Sequence, residues 1–405
     1  MTNIDQANQH QHQNQQPIDT TQFPDITQSQ ISKLTNTGNL PQPYPAPIAS
    51  ASFKQTPSDF QVDEVLDIDL SGEGEHLWLL IKKTSMNTLF VAQQLAKWAK
   101  IPNRDVGYSG LKDRQAVTTQ WFSLRIPKGE LPKMGFAEFI YQNRSTAYNT
   151  ADDSSLEALE VLKQVWHSKK LHKGAHKANR FLIRLQELVF ADKQAVDSML
   201  ETIKTQGVPN YFGEQRFGRN GSNIATALEW FEQGTIHGRK PHPKKSRDLQ
   251  SLLLSSARSA IFNQILAKRV TNGSWNTALA GDVFNLDGSG SVFTVAQIDQ
   301  EIHDRLASGD IHPTGPLWGI NNDKVSAEAQ ALEQKIVNDD PILQRLAQGL
   351  DNKQIKTMRR ALRLPVSELN WSWDEMDNTL VLDFTLATGS FATSVLANLV
   401  AQLDS

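Results

Sequence analysis

Apolar and polar residues alternate through "DFQVDEVLDIDL" (59–70), the pattern of a strand with one buried face. "GEGE" then turns the chain, and "HLWLLIKKT" (76–84) predicts a second strand that would close a hairpin with the first. The spacing changes in "NTLFVAQQLAKWAK" (87–100), where Leu89, Ala92, Leu95, Ala96 and Ala99 recur at helical intervals behind Asn87, a suitable N-cap. "TTQWFSLRI" (118–126) and "RFLIRLQEL" (180–188) predict strands, whereas 151–165 fits either helix or strand. "ADKQAVDSMLETIKTQG" predicts a helix stopped by Gly207. Mostly helical sequence follows to about residue 271, then a hairpin in "GDVFNLDGSGSVFTV" and helices over 296–308 and 326–348. Strand patterns return in "LNWSWDEM" and "NTLVLDFTLAT", and "SFATSVLANLVAQL" reads as a closing helix. Strands at both ends and helices between them predict an α/β (α+β) domain interrupted by an insertion.

Composition sets off the N-terminus. "MTNIDQANQHQHQNQQ" is rich in Gln and Asn, and prolines crowd "NLPQPYPAP", so residues 1–45 are expected to be a disordered polar tail. No cysteine occurs among the 405 residues, which removes thiol nucleophiles, disulfides and Cys-ligated zinc from consideration. There is neither an apolar run of membrane-spanning length nor a signal-peptide pattern, so a cytoplasmic protein without a membrane partner is expected.

With a net charge of −3, binding to a polyanion would rest on local patches. Residues 167–184 supply one: Lys169, Lys170, Lys173, Lys177, Arg180 and Arg184 stand together without an acid. Further basic runs are "HGRKPHPKKSR" (237–247) and Lys356, Arg359, Arg360 and Arg363. Each is equally a solvated surface. Three of them in a mildly acidic chain favour an anionic polymer, and nearby aromatics (Trp166, Tyr211, Phe212, Phe217) favour unpaired RNA bases, unless they are core. Nucleotide-cofactor loops and metal-binding patterns are absent, and His172 and His176 sit among lysines, so no cofactor and no metal are expected.

The most pointed feature is "GYSGLKDRQAVTTQWFS" (107–123), in which one carboxylate, Asp113, lies between Lys112 and Arg114 on a glycine-flanked loop. Such triplets are commonly solvated. Adjacent cations also favour a charged carboxylate, and glycines let a substrate approach the backbone.

This segment resembles the catalytic loop of the TruD family of tRNA pseudouridine synthases. "TPSDFQVDE" (56–64), "KGAHKANRF" (173–181), "PNYFGEQRFG" (209–218) and "LATGSFATSVL" (386–396) resemble further family segments in the family's order. The resemblance implies a pseudouridine-synthase mixed-sheet core over 46–204 and 365–405, with a helix-rich TRUD domain inserted at 205–364. It also implies cofactor-free isomerisation of uridine to pseudouridine in tRNA, expected at position 13 of the D arm. Asp113 matches the catalytic aspartate; Phe60, Asn179 and Phe391 match positions contacting the substrate nucleotide. Phe181 stands where most other pseudouridine synthases carry tyrosine, Lys54 is the basic group expected to pair with Asp113, and Gln115 is given no role. Lys169, Lys170, Lys173, Lys177 and Arg180 are the RNA-backbone candidates. Nothing implies a protein partner, and a monomer is expected. Rival readings are an RNA-binding protein that does not use Asp113 and a metal-dependent nuclease, which would need clustered carboxylates where cations stand.

Overall fold

A computed structural model describes residues 25–127, 129–143, 157–242, 246–374, 376 and 378–404. In chain order the principal elements are α1 (Gln28–Thr35), β1 (Ile48–Phe53), β2 (Phe60–Val65), β3 (His76–Thr84), α2 (Thr88–Ala99), β4 (Val106–Tyr108) and β5 (Val117–Arg125). Next come α3 (Phe136–Gln142), β6 (Ala158–His167), β7 (Ala178–Phe190), α4 (Lys193–Gln206), α5 (Ser222–Gln233) and α6 (Arg247–Thr271). They are followed by β8 (Val283–Leu286), β9 (Val292–Thr294), α7 (Gln300–Ser308), β10 (Ile311–Leu317), α8 (Ala327–Asp339), α9 (Pro341–Asn352) and β11 (Met358–Ala361). The chain closes with β12 (Ser367–Asp374), β13 (Thr379–Ala387), α10 (Ala392–Leu396) and β14 (Val400–Asp404). These elements form two compact units, residues 44–208 with 364–405 and residues 1–43 with 209–363.

In the first unit a large mixed sheet runs β12-β13-β7-β2-β5-β3-β6, with β1 on β7 and β14, and β4 on β5. The hairpin expected between β2 and β3 does not form. Strand β5 lies between them, parallel to β2 and antiparallel to β3. Both edges of an inner strand need partners, and β5 supplies the long apolar surface that β3 buries. The ambiguous segment 151–165 is strand from Ala158, paired with β3; residues 151–156 lie outside the described residues. Helix α2 starts where Asn87 Oδ1 accepts from Leu89 N at 2.8 Å, and Val91, Ala92, Leu95, Ala96 and Trp98 are buried. Leu89, expected on that apolar face, is exposed. Helix α4 ends at Gly207, as its sequence predicts, and starts on Asp192; its Asp197 Oδ1 accepts from the indoles of Trp371 (2.8 Å) and Trp373 (2.9 Å) on β12. The expected closing helix is short: after α10 the chain turns and becomes β14, parallel to β1.

The second unit packs α5, α6, α8 and α9 together with a four-stranded sheet, β9-β8-β10-β11. The single helix expected over 326–348 is two. Asp340 accepts from Ile342 N and Leu343 N and Pro341 opens α9, so capping chemistry overrides continuous periodicity. Part of the expected polar tail is structured here. Thr27 and Gln30 form a capping box for α1, Ile31 is buried, and Gln28 Nε2 donates to Asn220 O at 2.7 Å. One apolar residue and a sound cap outweigh the segment's polar composition. Residues 1–24 lie outside the described residues.

In "PNYFGEQRFG", Asn210, Tyr211, Phe212 and Phe217 are buried, and Asn263 bonds both the N–H and the carbonyl of Phe212 at 2.9 Å. These aromatics are core and offer no face to a base. The three arginines of the third basic run are also internal, whereas its Lys356 is exposed. Arg359 forms a buried ion pair with Glu333, Arg360 lies 4.2 Å over the Phe212 ring, and Arg363 donates to His312 Nδ1 at 3.0 Å.

Candidate active site

Strand register in the first unit gathers one set of side chains on one sheet face. Phe60 lies opposite Ile183, Val62 opposite Phe181 and Glu64 opposite Asn179; Val62 neighbours Thr118, which faces Lys83. Alternation then puts Phe60, Val62, Glu64, Asn179, Phe181, Thr118, Gln120 and Lys83 on the same side. Phe53, Phe60, Phe181 and Phe384 form a row, with centroid spacings of 5.3, 6.1 and 5.5 Å between successive rings.

The Asp113 loop crosses this face and is fastened on both sides of the carboxylate. Gly107 lets it begin there: a Cβ would stand 2.3 Å from the Leu171 carbonyl oxygen. Gly174 N donates to Ser109 O at 2.7 Å, and Gln120 Nε2 donates to Gly110 O at 3.1 Å. Thr88 Oγ1 accepts from Lys112 N at 3.0 Å and donates to Gln120 Oε1 at 2.8 Å. Lys112 Nζ reaches Glu64 Oε2 at 3.1 Å, both side chains buried, while Glu64 also accepts from Ser109 Oγ and from Trp121 N.

Lys112 and Arg114 therefore do not flank the Asp113 carboxylate in space. Arg114 donates from Nε to Ser85 O at 3.3 Å, and its Nη2 lies 3.8 Å from Glu157. Adjacent residues on a sharply turned loop point apart, so sequence neighbourhood did not become charge neighbourhood. The cation at Asp113 is Lys54, whose Nζ lies 3.3 Å from Oδ2 and 4.1 Å over the Phe60 ring. Lys54 has φ of 60°, in the left-handed region, which costs a non-glycine residue ~1–2 kcal/mol. The Asp113 side chain stays 42% exposed, so one carboxylate is both held and accessible. A second cation lies beneath it. Lys83, fully buried, donates to Met86 O at 2.6 Å and approaches the carbonyl oxygen of Asp113 itself at 3.4 Å.

Asn179 is buried beside His176, with Nδ2 3.3 Å from the imidazole Nε2, and its Oδ1 has no hydrogen-bond partner among the described residues. Burial, aided by Lys112 and opposed by Glu64, lowers the His176 pKa and favours a neutral ring. Phe391 is half-buried just before α10, three residues beyond Thr388, whose hydroxyl donates to His176 O at 2.6 Å. The structure thus joins Lys54, Phe60 and Asp113 by contact, sets Phe181 behind Phe60, and places Asn179 on the same face. Phe60 and Phe181 are packed in the core.

Of the basic candidates, Arg180 is paired with Asp383 and Lys177 with Asp67, while Lys170 donates to Arg104 O. Lys169 and Lys173 are exposed. Sequence reading passed over Lys83, Glu64, Gln120 and Thr88, and weighed His176 only as a metal ligand. A signal existed for two of them: in "FQVDEV" and "HLWLLIKKT", Glu64 and Lys83 fall at the positions that alternation assigns to the buried face. No group of three or more metal-ligating side chains stands together among the described residues.

The sequence pattern of the family described as tRNA pseudouridine synthase D (TruD) matches residues 46–227 and 242–399. The chain belongs to the TruD family. This makes it an isomerase of the pseudouridine synthase class, converting uridine to pseudouridine in tRNA. A tRNA pseudouridine synthase D of Psychrobacter arcticus is 50% identical over 399 residues, covering 92% of this chain and 96% of the relative. Its counterpart in Xanthomonas euvesicatoria is 42% identical over 372 residues, covering 90% and 95%. The TruD fold is seen in a solved Methanosarcina mazei chain assigned as tRNA pseudouridine synthase D, with a TM-score of 0.63 at 20% identity, covering 91% of this chain and 97% of that one. No helix among the described residues of this TruD family chain is long and apolar enough to cross a membrane.

Proposed function

We propose that the chain isomerises the uridine at position 13 in the D arm of tRNA, with Asp113 as its essential carboxylate and residues 46–204 and 365–405 as the catalytic core. The carrying observation is that Asp113 alone on its fastened loop presents a partly exposed acid, 42% accessible and 3.3 Å from Lys54. The reaction breaks the bond from ribose C1′ to N1 of uracil and makes one from C1′ to C5; a proton leaves C5 and N1 gains one, so atoms and charge balance. The target base must leave its stack, at a cost of a few kcal/mol. Phe391 would offer a face to the extruded ring, and the unpaired Oδ1 of Asn179 is suited to accept from N3–H. Lys54 holds one carboxyl oxygen and neutralises part of its charge, leaving Asp113 to attack the sugar, attack the ring or draw off a proton. Phe60 and Phe181 act by shaping the wall beneath Lys54. Exposed Lys169 and Lys173 are the candidates for RNA phosphates, with Lys170, Lys177 and Arg180 able to join by exchanging their present partners.

Asp113→Asn keeps the size and removes the charge. Product in an unmodified tRNA transcript should fall below detection while filter binding of that tRNA persists. Substantial pseudouridine from the variant refutes the assignment.

A further inference from the structure

Lysine is rarely buried completely, because a desolvated ammonium is costly unless something uses it. Lys83 lies on the inner face of β3, after Leu77, Leu79 and Ile81, with no exposed surface. Its amine ties the turn before α2, through Met86 O, to the main chain of Asp113. We propose that Lys83 is a positioning residue whose positive charge, held under the Asp113 main chain, supports the carboxylate in the reaction, so that the rate falls when this amine loses its proton. The proposal rests on the Asp113 reading above.

The surroundings give that charge a narrow range. Burial brings the Lys83 pKa down from 10.5 to about 8; the Asp113 charge opposes the fall and Lys112 adds to it. Other groups facing the site are neutral or already paired. Thr118 faces it from β5, and Arg114 is held by Ser85 O and Glu157. A neutral amine still carries two N–H groups, enough for both carbonyls. Passing through pH 8 therefore removes the charge and can leave the connections in place, which makes pH the discriminating variable.

The experiment is single-turnover pseudouridine formation in an unmodified tRNA transcript from pH 6 to 9, with wild type, Lys83→Met and Lys83→Arg. Wild type should slow above pH 8. Lys83→Met should be roughly tenfold slower at pH 7 (about 1.4 kcal/mol of barrier), flat across that limb, and close to wild type at pH 9, with tRNA binding unchanged. Lys83→Arg, permanently charged, should lose the alkaline limb. A Lys83→Met rate equal to wild type at pH 7, or a ratio constant at every pH, overturns the proposal; the constant ratio would mean packing alone. Should Lys83→Met fail to fold by circular dichroism, the absence of native cysteine allows Lys83→Cys to be alkylated with 2-bromoethylamine in denaturant and refolded. The resulting thialysine is a weaker base, so the limb must move to lower pH; an unmoved limb overturns the proposal. Asp113→Asn separates the two readings. Activity in that variant sinks the Asp113 assignment, whereas a limb that persists in Lys83→Met sinks only the role of Lys83.

Discussion

Replacing Glu64 by Gln tests whether the Asp113 loop is held by a buried charge pair. Glu64 has no exposed side-chain surface and Lys112 only 6%, with 3.1 Å between Oε2 and Nζ. Removing one partner of such a pair strands the other charge in a poorly polarisable interior, at a cost of about 3–5 kcal/mol. Glu64→Gln keeps an oxygen for Trp121 N and a partner for Ser109 Oγ, so nearly all of its cost comes from the stranded Lys112 ammonium. Lys112→Met strands the carboxylate, which keeps those two donors, so about 3 kcal/mol is expected. The double variant has no charge left to strand and should lie within about 1 kcal/mol of wild type. A coupling of several kcal/mol should therefore appear in a double-mutant cycle measured by urea unfolding. Pseudouridine formation should fall in both single variants and recover in the double. Additive costs in the cycle would show that the loop does not depend on this pair.

The stability difference between Lys83→Met and wild type should change with pH. A folded pKa near 8 against 10.5 unfolded means that the unfolded chain holds an extra proton between these values, so wild type gains stability as pH rises through that window. The full gain is about 3 kcal/mol, from about 1.4 kcal/mol for each pKa unit, and urea unfolding of both proteins at pH 7 and 10 reads most of it as a rise in wild-type stability relative to the methionine variant. A pH-independent difference would contradict it. Gly349→Ala should destabilise the second unit by about 1–3 kcal/mol despite alanine's better helix propensity, because its Cβ would stand 2.1 Å from Phe231 Cδ2. Thermal unfolding checks the sign.

Local chemistry was well written in the sequence. Asn87, Asp192 and Gly207 bound their helices because a cap is decided within a few residues. Alternation located β2, β3 and β7. It did not show that β5 separates β2 from β3, because that partner is chosen by surface buried across the sheet. The run "LANLVAQL" has too few residues for its period to separate helix from strand, and pairing with β1 decides for strand. Asp113 was found through the resemblance of its loop to a family, and Lys54 as its partner the same way. The charge environment was misread at Lys112 and Arg114 because side-chain direction on a turned loop is set by what lies beneath it, here Glu64 and Ser85 O. Lys83 and Glu64 were legible in principle as charges in an inward register, yet their partners come from distant segments.

Strand β14, the end of the described chain, lies parallel to β1, the first strand of the large sheet, and β13 lies against β7. During synthesis the sheet around Asp113 must then wait, its seams on β1 and β7 open, until residues 379–404 have been made. A ribosome stalled between residues 208 and 379 would present this sheet with unsatisfied strand edges, exposed to pairing with other chains.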